Sequence, residues 1–175
     1  YTIKWNEAYS GQIAKPGGEF EATQNGLGDV GLLVIPLATD KVPAYAASFY
    51  TPFVTKDVVL ASNITDDMAK KFPKMAEAWA DYNMVTLASL GVVDTYQIFS
   101  AKPIRVLADL KGKKIAGIGP NLQWIAGLGA VGVTMNLATL YNTIQTGVAD
   151  AGIIHAGGAK NVKLYEVAPY MVQAD

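Results

Sequence analysis

The chain has 175 residues, 51% of them hydrophobic and 17% charged, with 14 basic and 15 acidic side chains and a net charge of −1. That suffices for a globular core in one large domain or two small lobes, and the balanced charge, with Arg105 as the single arginine, excludes the basic stripe of a nucleic-acid binder. The absence of cysteine excludes disulfides and thiolate metal sites and fits an oxidising compartment only weakly.

In chain order, Tyr1 to Ala8 alternates as a strand does, with no secretory leader before it, so the start reads as processed or truncated. After a Gly/Pro loop from Gly11 to Gly18, Glu19 to Asn25 is helix-like with Gly26 as its stop. Asp29 to Ile35 is an unalternating apolar run, the pattern of a strand covered on both faces, ended by Pro36. Met68, Phe72, Met75, Trp79 and Tyr82 recur at spacings of 4, 3, 4 and 3 and predict one core-facing helical stripe, kinked or divided by Pro73. Asp66 and Asp67 are expected in the first turn of that region, complementing the helix dipole. Two strand-like segments follow, Met84 to Val92 and Thr95 to Ser100.

From Ile115 to Ala149 there is no charged residue, yet Gly, Pro, Asn and Gln interrupt the stretch. Its longest apolar-plus-glycine run, Ile125 to Val133, is too short to span a membrane. The pattern predicts a buried βαβ-type unit of strand, glycine turn, neutral helix, strand and helix. The strand is placed at Lys113 to Ile118 and the first helix from Asn121 to about Ala130. Asn136 caps a second helix with the face Leu137, Leu140, Tyr141 and Ile144, stopped by Gly147. Ala149 to Ile154 reads as a strand, Val162 to Glu166 as a helix and Tyr170 to Val172 as a last strand.

Residues able to carry chemistry are few. The turn Gly117-Ile118-Gly119-Pro120-Asn121 resembles a phosphate loop, but the third glycine of the dinucleotide fingerprint is Leu122 and the P-loop lysine is absent. A carboxylate-sized anion or a polar ligand group still suits the N–H groups near Gly119 and the Asn121 side chain. Trp124 is equally a ligand wall or a core residue. His155, the single histidine, follows a strand end where α/β ligands gather, and it either contacts a ligand or serves its own loop. No cysteine nucleophile, G-x-S-x-G elbow or paired-histidine metal motif is present. Asp66 and Asp67, adjacent on a helix, do not face each other and make a poor acid–base pair.

Three separated runs carry a resemblance. Pro103, Ile104, Arg105, Leu107, Asp109, Leu110, Lys111, Gly112, Lys114 and Ile115 form the first, and Tyr141, Ile144, Gln145, Thr146, Gly147, Val148 and Asp150 the second. Lys163, Leu164, Tyr165, Glu166 and Val167 form the third, and Gly11-Gln12 is similar to a further turn. Together they resemble the extracytoplasmic solute-binding proteins of TRAP (tripartite ATP-independent periplasmic) transporters. The resemblance implies an α/β fold of two-lobe, class II periplasmic-binding-protein architecture, present here as a partial chain. The first lobe would span 1–98 and the second 99–175, with a hinge crossover near 95–103. The first strand, later hinge crossings and C-terminal helices of the family would be missing.

By the same resemblance the protein is periplasmic, no enzyme, and needs neither cofactor nor metal. It would bind a small organic solute between its lobes and deliver it to the TRAP membrane permease. An enzyme or a regulator's effector domain on the same fold is the alternative. The family's carboxylate-clamping arginine falls at Ala116, which cannot replace a bidentate guanidinium. Gly119, Asn121, Trp124 and His155 are then the expected contacts, with Ala116 included because the clamp position maps there.

Overall fold

The computed structural model describes residues 2–15, 17–52, 54–91 and 96–173. Its first part is helical. Helix α1 (Glu19–Gln24) ends as Gly26 implies: with φ at +71° the glycine lets its own N–H reach Thr23 O at 3.0 Å, and Leu27 N–H reaches Ala22 O at 2.9 Å. After a 3-10 turn at Ile35–Leu37 and another at Pro43–Ala46 comes the single turn α2 (Ala47–Tyr50). Helix α3 (Val58–Lys71) is capped by Asp57, whose Oδ1 accepts from Val59 and Leu60 N–H at 3.0 Å each. Pro73 then divides the helical region, and α4 (Pro73–Glu77) begins with it.

The aromatic and methionine stripe behaves as the spacing predicts at four of its five positions. Met75 and Trp79 are buried with Phe20, Ala38, Val42, Tyr45 and Met84, and Met68 and Tyr82 pack against them. Phe72 is 53% exposed, because it sits at the break where the helical phase is reset. Asp66 and Asp67 lie mid-helix rather than in a first turn, since the Asp57 cap starts the helix earlier than the stripe suggests. Asp66 Oδ1 instead accepts from Ser89 N–H at 3.0 Å, and Asp67 pairs with Lys70.

Three strand expectations fail among the described residues. Residues 2–8, 29–34 and 84–91 are extended or bent without ladder partners. Their apolar side chains, among them Trp5, Leu32 and Leu87, are 66%, 71% and 74% exposed. Alternation prepares a strand, but only a hydrogen-bonding neighbour makes one. Tyr1, Val92, Thr95 and Asp175, which also figure in the predicted segments, lie outside the described residues.

The second part is a five-stranded sheet. Strand β1 (Tyr96–Ser100) precedes β2 (Lys114–Gly117), the single turn α5 (Gly119–Leu122), a 3-10 turn at Gln123–Ile125, and β3 (Val131–Thr134). Then follow α6 (Leu140–Gln145), β4 (Ala151–His155), α7 (Ala156–Asn161) and β5 (Tyr170–Val172). The sheet order is β3-β2-β4-β1-β5, with β2 parallel to β3 and β4, and β1 antiparallel to β4 and β5. The parallel β2–α5–β3 connection is the predicted βαβ unit.

Its helix is shorter than the expected Asn121 to Ala130, because Gly127 and Gly129 take φ of +83° and +77°, and the Gly129 carbonyl is held by Gly112 N–H at 2.8 Å. The helix expected at Val162–Glu166 lies earlier. Gly158 lets α7 approach so closely that a Cβ there would meet Ile154 Cδ1 at 2.8 Å, and a 3-10 turn at Leu164–Glu166 completes the segment.

Strand alternation sorts the core into two faces. Ile115, Ala151 and Ile153 point to one face, where Leu110, Leu122, Trp124 and Ile125 cover them. Phe99, Ala116 and Ile154 point to the other, under Leu140 and Ile144 of α6, Ala159 of α7, Leu164 and Ala168. A fully buried Leu140 or Ile115 contributes about 1.5–3 kcal/mol each.

The runs behind the resemblance turn out to be scaffold. Asp109 Oδ2 accepts from Arg105 N–H at 2.8 Å and Val106 N–H at 3.2 Å, which tightens the 3-10 turn at Leu107–Leu110 and holds the Asp109 carboxyl below the usual carboxylate range. Asp150 Oδ2 accepts from Lys114 N–H at 2.8 Å, and its carbonyl accepts from Ala101 N–H at 3.0 Å, tying the ends of three strands. Tyr141 Oη donates to Glu166 Oε2 at 3.0 Å, joining the second run to the third and raising the Tyr141 pKa through that hydrogen bond. Gly11, with φ at +77°, indeed forms a turn.

Candidate functional site

Strands β2 and β4 run parallel, so their carboxyl ends, Gly117 and His155, lie at the same edge of the sheet, where the antiparallel β1 begins at Tyr96. Both strands feed helices directly, β2 into α5 and β4 into α7. Such an edge is where α/β folds collect ligands.

His155 and Tyr96 are register partners across β4 and β1, their ring centroids 5.7 Å apart. Tyr96 meets Trp124 edge to face at 5.4 Å and Phe49 of α2 at 6.3 Å. Burial raises the Tyr96 pKa, so its hydroxyl stays protonated. The Trp124 indole Nε1–H donates to the Phe49 carbonyl at 2.5 Å, a bond between residues 75 positions apart that joins α5's segment to the first part of the chain. Neither Tyr96 nor Phe49 is suggested by the sequence, since only the β1–β4 register and the docking of α2 bring them here.

His155 caps α7. Its Nδ1 accepts from Gly158 N–H at 3.1 Å, so the neutral ring carries its proton on Nε2. Of the two sequence alternatives for this residue, this bond shows service to its own loop, and the ring also lies against Tyr96. His155→Ala should cost about 1 kcal/mol through loss of the cap, and His155→Asn should recover most of it, as read by urea denaturation. Equal losses for both variants would remove the cap from the account.

Asn121 is 0% exposed, and neither its Nδ2 nor its Oδ1 has a hydrogen-bond partner among the described residues. Leaving a buried donor or acceptor unpaired costs about 1–3 kcal/mol per group, so this amide is an anomaly that asks for a reason. It lies in α5, three residues before Trp124, and α5 packs against α2, the Ile35–Leu37 turn, β2 and β3.

Gly119 is exposed with open space beside it, Pro120 has no N–H, and the Asn121 N–H is taken by Ile118 O at 2.9 Å. With a helix of one turn behind it, this segment presents less to an anion than its glycine pattern suggests. Ala116 stands apart from the other four. It is fully buried on the opposite face of β2, in the row Phe99–Gly152–Ala116 under α6.

Two hollows open to solvent occur elsewhere. One of about 510 Å³ lies at the end of β3 between Thr134, Asn136 and Thr143, and one of about 420 Å³ lies between Tyr45, Asp66 and Met84. Neither contains any of the five expected residues. Among the described residues no cluster of acidic and histidine side chains could hold a metal, and no helix is long and apolar enough to cross a membrane.

The mixed sheet, a separate helical part docked on it and a ring-lined edge with a buried polar side chain define an α/β protein of the periplasmic-binding type. The pattern of the bacterial extracellular solute-binding proteins, family 7, matches residues 3–175, and the chain belongs to that family. No curated protein matches it. Among solved structures it is similar to a TRAP periplasmic solute-binding protein of Chromohalobacter salexigens with bound D-glucuronate. There the identity is 23% and the TM-score 0.73, over 91% of this chain and 52% of that one.

It is also similar to a marine-metagenome TRAP solute-binding protein in complex with pyroglutamate, at 20% identity and TM-score 0.72, covering 94% of this chain and 53% of that one. A Bordetella pertussis extracytoplasmic solute receptor binding pyroglutamic acid matches at 24% identity and TM-score 0.68, over 89% and 50%. The chain thus spans about half the length of the solved structures it matches.

Proposed function

We propose that this chain is part of an extracytoplasmic receptor that captures a small organic acid for a TRAP-type membrane permease. Membership of the extracellular solute-binding family supports the compartment and the receptor role. Relatives of the same fold bind pyroglutamate and glucuronate, which supports the solute class. The observation that carries the reading is the unpartnered, fully buried Asn121 amide of α5, the turn that packs against α2.

The site consists of Asn121, Trp124 and His155 with Tyr96 and Phe49, and Gly119 forms its open margin. Ala116 contributes from behind, as the small residue on which α6 closes. Residues up to 98 and from 99 onward form two lobes with their crossover at 95–103. A division in two is supported by the buried clusters, one drawing on residues between Phe20 and Met84 and the others on residues between Tyr96 and Ala168, with Tyr96 and Ile98 of β1 packing in the second group. The Trp124–Phe49 bond would then report lobe closure, and a solute that favours the closed arrangement shifts the population toward it. The protein catalyses nothing; it binds and releases.

A thermal-shift panel of the full chain against uronates, pyroglutamate and aromatic acids tests this. A true solute at a hundredfold excess over its Kd should raise Tm by about 5–10 °C. Trp124→Phe keeps the ring but removes the donor to Phe49, and should weaken binding about fivefold. A panel in which nothing shifts Tm, or turnover of any bound acid, would overturn the receptor reading.

A further inference from the structure

The elements packed against α5, the helix that carries Asn121, are α2, the Ile35–Leu37 turn, the Gln123–Ile125 turn, β2 and β3. Their one charged residue is Lys114, exposed at the start of β2, the end of that strand remote from α5. A carboxylate placed at the α5 end of these elements would meet no opposite charge. It can also satisfy only half of the amide: an ionised carboxylate accepts and never donates, so it would pair with Nδ2 and leave Oδ1 facing a negative oxygen. A hydroxyl both donates and accepts, but one oxygen cannot reach both atoms in good geometry, whereas two neighbouring hydroxyls can. The planar group that matches a buried Nδ2 donor and Oδ1 acceptor together is a second amide edge, with N–H and C=O side by side.

We infer that the solute of this site presents such an edge, as a lactam or carboxamide does, to the Asn121 side chain, with the planar group set among Tyr96, Trp124 and His155. The inference rests on the receptor reading and narrows its solute class. It also accounts for three features at once: an amide left unpaired at full burial, a ring-lined setting, and the lack of an ionic side chain at the α5 end of the enclosing elements. Separation of α2 from α5, which breaks the Trp124–Phe49 bond, uncovers the amide for entry. Any acid group on the solute is held outside these elements.

Two ring acids of similar size separate the possibilities: pyroglutamate, which has the lactam edge, and cyclopentanecarboxylate, which lacks it. Calorimetric titration of the full chain should show pyroglutamate at least about tenfold tighter, because the carbocycle leaves the buried amide unpaired. Asn121→Leu should bring the two acids to within about threefold of each other. It should also raise the Tm of the ligand-free protein, since it deletes an unpaired polar group.

Equal binding of the two acids by the wild type, or a preference that survives in Asn121→Leu, overturns the amide edge while leaving the receptor intact. Binding of a uronate with neither ring acid bound does the same. Failure of every acid in the panel removes the receptor reading and this inference with it.

Discussion

Ala116→Arg should unfold the sheet rather than create an acid clamp. The residue is fully buried, and its Cβ projects to the α6 side of β2, in line with Gly152 and Phe99 and beneath Leu140 and Ile144. An arginine there would force a long side chain into a packed layer, costing about 1–3 kcal/mol in strain. It would also bury a cation with no carboxylate in that cluster, costing several kcal/mol more. A total near 5 kcal/mol consumes much or all of the stability of an ordinary domain. Urea denaturation with far-UV dichroism should show collapse of the cooperative transition, and no organic acid should restore it. A variant that folds like the wild type and gains affinity for dicarboxylates would show that residue 116 faces the cleft after all.

Leu140→Ala should cost about 3 kcal/mol, within the range for truncating a sealed leucine that cannot be replaced by collapse of its neighbours. Its counterpart across the layer is Gly152, where an added Cβ would stand 2.7 Å from Leu140 Cδ1 and 3.4 Å from Ile144 Cδ1. Gly152→Ala alone should therefore cost about 1–3 kcal/mol through overpacking. The two losses should not add. With Leu140 truncated, the new methyl enters the space it left, and the double variant should be more stable than the sum of the singles by about 1 kcal/mol or more. Strict additivity in chemical denaturation would mean that α6 does not seat on β4 as described.

Particular residues show how far local pattern reaches. Gly26, Gly147, Pro73 and the Asn136 cap were legible because each acts on its own few peptide units: a positive φ, a missing N–H, or a side chain bonded to Thr139 N–H at 3.0 Å. The β2–α5–β3 unit was legible for the same reason, as a strand-length apolar run meeting a glycine turn. The early segments at 2–8, 29–34 and 84–91 were misread as strands because pairing is a property of two segments, and alternation describes only one. The start of α3 was misplaced because a helix face shows where a helix packs, whereas its first residue is set by the cap at Asp57.

The candidate site divides along the same line. Asn121, Trp124 and His155 follow from their positions at or just past strand ends, and the sequence by itself determined that much, together with the uncharged character of the stretch and the family words that prove to be scaffold. Only the tertiary structure decided that Ala116 turns away from these residues while Tyr96 and Phe49 join them. The first is a matter of strand parity, which alternates from one residue to the next and depends on which face is covered. The second depends on register and docking between segments far apart in the chain, where no local free energy acts until the fold has formed.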